Sequence, residues 1–163
     1  MGVTASGKTT IGTRLAAAEH WEYAEGDDYH SDANKAKMHA GIPLTDEDRA
    51  PWLASLHEVL LGWYRSGTSG VLACSALKQT YRDELSAGIP GTVLHFVLLE
   101  VSREVLEERL AARKNHYMSP ALLDSQIATL ETPRDAIRVA GDRPPDEAVR
   151  EIMDAVRAAE SHP

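Results

Sequence analysis

Cysteine is almost absent from this sequence, since Cys74 is the single one among 163 residues. One thiol can form neither an internal disulfide framework nor a zinc site built on cysteines. Small secreted proteins stapled by disulfides are therefore excluded as a class. The same scarcity favours a reducing, cytoplasmic setting for the protein.

Long hydrophobic runs are missing as well. The run from Val93 to Leu99 is interrupted by His95, and it is far shorter than the ~18 residues that a membrane-spanning helix needs. No basic segment followed by an apolar one opens the sequence, so it shows no secretory signal. We therefore expect no membrane partner. With 43% hydrophobic and 26% charged residues, the composition is typical of a globular protein, and the length predicts a single domain over residues 1–163.

Positive charge is in deficit: 17 Lys and Arg residues face 25 Asp and Glu residues, a net charge of −8. Proteins that bind nucleic acids normally carry a basic surface, so we expect no nucleic-acid partner. An acidic protein that binds an anionic ligand must gather its cations locally. The clusters of Lys and Arg along the chain are therefore the places to search for a site.

Apolar patterning alternates between short β-like runs and longer helical stretches. It predicts helices at Lys8–Glu19, Asp46–Arg65, Lys78–Ser86, Ser102–Arg113, Pro120–Leu130 and Pro145–Ala159. It predicts strands at Trp21–Glu25, Gly70–Cys74, Thr92–Leu99 and Ala136–Val139. Strands rich in Val and Leu with little alternation are typical of a parallel sheet buried on both faces. The chain is thus expected to form a three-layer α/β fold, with its ligands at the carboxyl ends of the strands.

A phosphate-binding motif, G-x-x-x-x-G-K-[ST], opens the chain. It consists of Gly2, Val3, Thr4, Ala5, Ser6, Gly7, Lys8 and Thr9, and Thr10 completes the predicted ATP-binding set. Such a loop points backbone N–H groups at phosphate oxygens, and the helix that follows directs its positive N-terminus at the same anion. Lys8 would bridge the β- and γ-phosphates, and the Thr9 hydroxyl would coordinate Mg²⁺.

Two features of this loop depart from expectation. A phosphate loop normally follows a buried strand, but here only Met1 precedes Gly2. We therefore expect the sheet to lack its first strand and favour a protein start further upstream. In addition, Ala5 carries a Cβ at a position where glycine permits a positive φ. The alanine is harmless only if φ is negative there.

A pair of carboxylates follows the Trp21–Glu25 strand. Asp27 and Asp28 stand beside Gly26 in the segment Glu25–His30. A carboxylate at the end of a strand next to a phosphate loop can accept a proton from an alcohol and can orient Mg²⁺ through water. A solvated turn is the competing interpretation, because glycine beside acidic residues is ordinary turn chemistry.

Further blocks of sequence make a specific resemblance. In order, they are G-D-x-x-H from Gly26, K-M-x-x-G-x-P-L-x-D-x-D-R-x-P-W-L from Lys37, A-C-S-A-L-K-x-x-Y-R-D from Ala73, and the R-x-x-x-R-x-x-H-[FY]-M, L-L-x-S-Q and L-E-x-P series between Arg109 and Pro133. Together with the phosphate loop, these blocks resemble the gluconate kinases, which are similar to shikimate and nucleoside-monophosphate kinases. The match extends from Gly2 to about Pro133.

The resemblance implies a P-loop kinase fold with a helical lid at about residues 109–130, using ATP and Mg²⁺ to phosphorylate D-gluconate at its 6-hydroxyl. It implies Lys8, Asp27 and Arg113 as catalytic residues, with Asp27 as the base, and Thr9 and Asp27 as supports for the metal. It places Arg113 and the ATP-binding Arg109 on the lid, where they close on the phosphates. The residues implied around the sugar acid are Asp27, His30, Lys37, Arg49, Ser75, Ala76, Lys78, Tyr81, Arg82, His116 and Gln126. It also raises the prospect of a homodimer.

Other interpretations stay open on the sequence alone. Arg49 beside Asp48 could be an exposed ion pair. Arg109 and Arg113, four residues apart, could belong to a solvated helix face. A kinase for shikimate or another sugar acid, and a nucleotide-binding module without catalytic activity, are the competing functions.

Overall fold

The computed structural model describes residues 1–112 and 120–161. Within these ranges the helices are α1 (Lys8–Glu19), α2 (Asp32–His39), α3 (Asp46–Ser66), α4 (Gln79–Ser86), α5 (Arg103–Ala112), α6 (Pro120–Thr129) and α7 (Pro145–Glu160). The strands are β1 (Glu22–Glu25), β2 (Gly70–Ala73), β3 (Val97–Glu100) and β4 (Ile137–Ala140), and a short 3₁₀ helix covers Gly26–Tyr29. The predicted helices and strands are confirmed to within a few residues, apart from the third strand.

Local capping explains where two helices begin. Thr45 and Asp48 form a reciprocal capping box at the start of α3, in which each side chain accepts a hydrogen bond from the other residue's backbone N–H. Apolar periodicity does not predict α2. The Ser31 side chain caps that helix by accepting from the Asn34 N–H, a short signal that apolar patterning cannot detect in a polar helix.

The strands form two parallel pairs. Strand β1 pairs with β2, with Glu22 opposite Gly70, and β3 pairs with β4, with Val97 opposite Ile137. Met1 lies along the inner edge of β3. Its nitrogen donates to the Val97 carbonyl at 2.5 Å, and its carbonyl accepts from the Leu99 N–H at 3.0 Å. The phosphate loop therefore starts beside the carboxyl end of β3.

A mainly apolar cavity of about 370 Å³ lies between the two strand pairs, lined among others by Leu15, Leu72, Phe96 and Leu99. The predicted strand over Thr92–Leu99 is wrong in its first five residues, because the observed strand begins at Val97. The segment before Val97 turns around Pro90, whose carbonyl accepts from both Val93 and Leu94. It then runs along this cavity, and the ladder to β4 begins only at Val97.

Helices cover both faces of the strands, as the three-layer prediction requires. The core has three parts. Helices α1 and α7 pack with β3 and β4, α3 and α4 pack around the end of β2, and α5 and α6 pack against the phosphate loop through Leu106 and Leu123. The loop thus rests on a core of its own at the carboxyl ends of the strands. Across the described ranges, no helix combines the length and apolarity needed to cross a membrane.

Candidate active site

The phosphate loop forms a tight turn that leads into α1. Gly7, the residue before the helix, has φ 101°, and Gly2 has φ 138°, conformations that glycine adopts without strain. The Lys8 ammonium donates to the Val3 carbonyl at 2.9 Å, and Thr10 lies exposed on the first turn of α1. The Ser6 hydroxyl is fully buried inside the loop, with no hydrogen-bond partner among the described residues. An orphaned hydroxyl in a turn rich in backbone N–H groups fits a loop that receives an anion.

Ala5 adopts the conformation that makes an alanine costly. Its φ is 60° and the residue is buried, so the condition for a harmless alanine is not met. Ala76, in the loop after β2, also has a positive φ of 45° and is fully buried. Strained backbone of this kind concentrates at functional sites, because surrounding packing must hold it in place.

The loop after β1 is pressed against the end of β2. A Cβ built on Gly26 would lie 2.7 Å from the Ala73 carbonyl oxygen and 2.8 Å from the Cys74 Cβ, so only glycine fits. The Trp52 indole N–H donates to the Gly26 carbonyl at 2.7 Å, and its ring stacks on His30 with centroids 4.4 Å apart. Helix α3 thereby fixes the segment that carries Asp27 and Asp28.

Asp27 and Asp28 face different surroundings within that segment. The His30 ring is buried, and within the part of the chain that the structure describes its Nδ1 has no hydrogen-bond partner. Burial lowers the pKa of His30, an effect that the nearby Asp27 carboxylate opposes. Asp28 lies instead in a hollow that it shares with Tyr23 and Tyr29. Asp27 is thus the carboxylate that acts electrostatically on His30 and on Cys74 at the end of β2, and its role as the base stays a prediction.

A second carboxylate lies against the residue expected to hold magnesium. The Glu25 Oε2 accepts from the Thr9 hydroxyl and from the Tyr23 hydroxyl, both at 2.7 Å. Burial and then the hydrogen bond to Glu25 raise the pKa of Tyr23 above its ordinary value, so the phenol remains protonated. Hydroxyl and carboxylate oxygens are the donors that Mg²⁺ prefers. Glu25 was absent from the predicted site, although it is the last residue of the strand that leads to Asp27.

Three of the four Lys and Arg residues predicted around the sugar acid fall into two ion-paired groups. Lys78 donates to both oxygens of Asp46, at 2.8 and 2.9 Å, the Tyr81 hydroxyl donates to the same carboxylate, and Arg49 lies 3.9 Å from it. These hydrogen bonds, from Lys78 first and Tyr81 second, hold the pKa of Asp46 below its usual value. Arg49 and Lys78 also lie over the Tyr81 ring, 5.8 and 5.4 Å from its centroid. Asp46 was absent from the predicted set.

Lys37 forms the second group with Asp48. Its ammonium lies 2.7 and 2.8 Å from the two oxygens of that carboxylate. The alternative in which Arg49 forms an ion pair with Asp48 is therefore wrong. Asp48 pairs with Lys37, and the Arg49 guanidinium donates to the Leu44 carbonyl.

Arg82 lies apart from these surface cations. It is almost fully buried, and its guanidinium donates to the carbonyls of Ala76, Leu77 and Glu131. Its observed contacts hold the loop after β2 in shape. That loop touches the phosphate loop directly, because the Gly2 N–H donates to the Ser75 carbonyl at 3.2 Å.

Helices α5 and α6 each send one polar side chain to the phosphate loop. Arg109 donates to the carbonyls of Ala5 and Gly141, at 3.1 and 2.8 Å, so it does not belong to a solvated helix face. The Gln126 carboxamide oxygen accepts from the Thr4 N–H at 2.7 Å. The structure thus brings Gln126 to the phosphate loop. Arg113 and His116 lie outside the described residues, and motion of 109–130 as a lid stays a prediction.

These contacts gather the loops after β1 and β2, the start of α3 and the phosphate loop at one edge of the sheet. A family model described as an AAA domain matches residues 1–133. The gluconokinase of Gluconobacter oxydans is 45% identical over 156 residues, covering 94% of this chain and 86% of that protein. The chain belongs to the gluconokinase family of P-loop kinases.

Solved structures agree with the gluconokinase assignment. A gluconokinase from Sinorhizobium meliloti superposes with a TM-score of 0.87 at 44% identity, covering 99% of this chain and 91% of that one. Shikimate kinase from Aquifex aeolicus gives a TM-score of 0.61 at 17% identity, covering 100% and 97%, a likeness of fold alone. The P-loop kinase fold and the use of a nucleotide are therefore confirmed.

Proposed function

We propose that this protein transfers the γ-phosphoryl group of ATP to the 6-hydroxyl of D-gluconate, giving 6-phospho-D-gluconate. The proposal rests on one juxtaposition above all: the backbone hydrogen bond from Gly2 to Ser75 joins the phosphate loop to the loop that leads into Lys78 and Tyr81. A phosphoryl donor bound at the phosphate loop and an anionic acceptor bound near Lys78 and Tyr81 would therefore lie next to each other. The relatives named gluconokinase supply the identity of the acceptor.

Phosphoryl transfer requires positioning and electrostatic stabilisation more than covalent chemistry from the protein. The loop N–H groups and Lys8 bind the phosphates, while Lys37, Arg49, Lys78 and Tyr81 surround the acceptor and its carboxylate. Asp27 takes the proton from the 6-hydroxyl as it attacks. The His30 Nδ1, which has no hydrogen-bond partner among the described residues, supports a role for this side chain in binding the sugar acid.

Magnesium is part of the proposal. Among the described residues, no group of three or more His, Cys, Asp or Glu side chains could hold a metal ion. Thr9 and Glu25 offer oxygen donors next to the phosphates, and Asp27 could hold a coordinated water. This donor set fits Mg²⁺, which keeps water and substrate phosphates among its ligands. When bound, the ion neutralises charge on the β- and γ-phosphates.

We also propose a cytoplasmic setting, supported by a single cysteine that is buried and free. Burial raises the pKa of the Cys74 thiol, so it remains an unreactive thiol at neutral pH. The predicted homodimer remains a prediction.

A coupled ADP-release assay over several acceptors tests the function. We expect turnover with D-gluconate and, at most, a small rate with shikimate or other sugar acids. ATP binding without ADP release in the presence of gluconate would contradict the enzyme assignment and favour a nucleotide-binding module. Faster turnover with shikimate would move the assignment to a neighbouring kinase family.

The role of Asp27 is tested by a matched pair of substitutions. Asp27→Asn should lower kcat by about 10²–10⁴-fold, the usual contribution of a general base, while the Kd for ATP changes little. Asp28→Asn, with the same change of charge one residue away, should retain most of the activity. Equal losses in the two variants, or unchanged kcat in Asp27→Asn, would remove Asp27 as the base.

A further inference from the structure

The Asp46 carboxylate receives an unusual concentration of donors. Lys78 donates to both of its oxygens, the Tyr81 hydroxyl donates to Oδ1, and the Arg49 guanidinium lies within 4 Å of the same oxygen. Two cations and a phenol thus converge on one carboxylate group. This is the arrangement that a polyhydroxylated carboxylic acid would require for its own carboxylate.

The anion is the outermost member of this cluster. The Asp46 side chain is 58% exposed, whereas those of Lys78 and Arg49 are 30% and 19% exposed. The cations therefore form the floor, with the Tyr81 ring beneath both of them. Asp46 covers them from the solvent side, where a ligand would arrive.

Asp46 also has a favourable alternative position. It is the first residue of α3, and a carboxylate in the first turn of a helix interacts favourably with the helix dipole and the free N–H groups. A rotation about its side-chain bonds would release Lys78 and Tyr81 while the carboxylate stays near the N-terminus of α3 and in water. Because the pair is partly exposed, breaking it costs little.

We propose that Asp46 is a specificity-determining residue: in the free protein its carboxylate occupies the position on Lys78, Tyr81 and Arg49 that the carboxylate of the acceptor takes on binding. This inference rests on the proposed function and adds to it a binding site for the carboxylate of the substrate. An acceptor with a carboxylate can replace Asp46 on these donors. A neutral polyol cannot compensate two cations and leaves the internal pair in place.

The test compares Asp46→Asn with Glu47→Gln, its neighbour in the same helical turn, in the full chain. Both variants remove one negative charge from the start of α3, and Glu47 is exposed. Binding of D-gluconate and of neutral D-glucitol is measured by calorimetry without nucleotide. We expect Asp46→Asn to lower the Kd for gluconate about 3–10-fold and to leave the Kd for glucitol unchanged. Glu47→Gln should shift neither by more than about twofold.

A second variant, Asp46→Ala, controls for the residual hydrogen bonding of asparagine and should change binding in the same direction. A higher Kd for gluconate in both Asp46 variants would overturn the proposal, because Asp46 would then be contacting the substrate. Equal changes for gluconate and glucitol, or for Asp46→Asn and Glu47→Gln, would also overturn it.

The ADP-release assay on the unsubstituted protein separates this inference from the proposed function. Turnover of gluconate with weaker binding in the Asp46 variants retains the function and rejects the role of Asp46. Tighter gluconate binding in those variants, without turnover in the unsubstituted protein, retains the role of Asp46 and rejects the proposed function.

Discussion

At the scale of single residues, two alanines bear backbone strain at the site. Ala5 and Ala76 both have positive φ and are buried, and each flanks the contact between the phosphate loop and the loop after β2. A left-handed conformation costs a residue with a Cβ about 1–2 kcal/mol. Packing around the two loops must offset this cost, so the surrounding core keeps both loops in a strained backbone conformation.

Ala5→Gly should raise stability. The substitution removes the Cβ at φ 60° and increases the entropy of the unfolded chain by a smaller amount. Because the buried methyl group is lost as well, we expect a net gain of at most about 1 kcal/mol, or a Tm higher by up to about 4 °C for a domain of this size. Thermal unfolding by circular dichroism measures it.

The control for this change is Ala17→Gly, on the exposed face of α1. There the backbone is helical, and glycine should cost about 0.5–1 kcal/mol. A fall in Tm in both variants would show that the strain at Ala5 contributes nothing measurable.

At the scale of elements, the start of α3 organises the proposed acceptor side. Its capping box includes Asp48, which also pairs with Lys37. Hydrogen bonds from Lys37, and then from the Thr45 backbone, hold the pKa of Asp48 below its usual value. A depressed pKa stabilises the folded state above the ordinary value of about 3.9. That stabilisation is lost as the pH falls through the lower pKa of the folded state.

Asp48→Asn should therefore lower Tm at pH 7 and have a progressively smaller effect as the pH falls below about 4. Thermal unfolding across this range measures the difference between the two proteins. Glu47→Gln, in the same turn, is the matched control and should leave Tm at pH 7 nearly unchanged. A Tm difference for Asp48→Asn that stays constant from pH 7 to pH 2.5 would contradict the assigned role of the carboxylate.

The elements also show what patterning can and cannot predict. Helix α3 was predicted to within one residue, because its apolar periodicity is strong. Helix α2 was missed because its eight residues are mostly polar. The predicted third strand begins five residues too early. In sequence, apolar residues that line a cavity look the same as apolar residues that pair in a β-ladder.

The site shows the same division. The phosphate loop could be predicted because its motif follows a short local spacing, and the same kind of local pattern put forward Asp27 and Asp28 as candidate bases. The contacts of Glu25 with Thr9 and of Asp46 with Lys78 join residues 16 and 32 positions apart. Such pairings arise only when the loops are brought to one edge, and no local pattern encodes them.

At the scale of the whole molecule, the two strand pairs are separated by the apolar cavity, and helices α1 and α7 span it on one face. Among the described residues, the ladders join β1 to β2 and β3 to β4. Apart from the bonds between β3 and Met1, each pair thus forms its ladder hydrogen bonds within its own half. Cooperative opening should follow this boundary.

Hydrogen exchange under increasing, sub-denaturing urea tests this division. We expect the amides of β1 and β2 to share one opening free energy and those of β3 and β4 to share another. The two should differ by about 1 kcal/mol or more, within the range of sub-global openings. Mass spectrometry of proteolytic fragments measures both. A single free energy for all four strands would show that the helices couple the halves completely.

The hydrogen bond between the Gly2 N–H and the Ser75 carbonyl has a consequence for protein engineering. Residues 75–78 are natural targets for directed evolution toward a new acceptor, because they lead from β2 into the acceptor side. The backbone they would displace also anchors the first residue of the nucleotide loop. Substitutions selected here for a new sugar acid will therefore tend to lower nucleotide affinity. Libraries restricted to substitutions that leave the Ser75 backbone in place will contain more active variants.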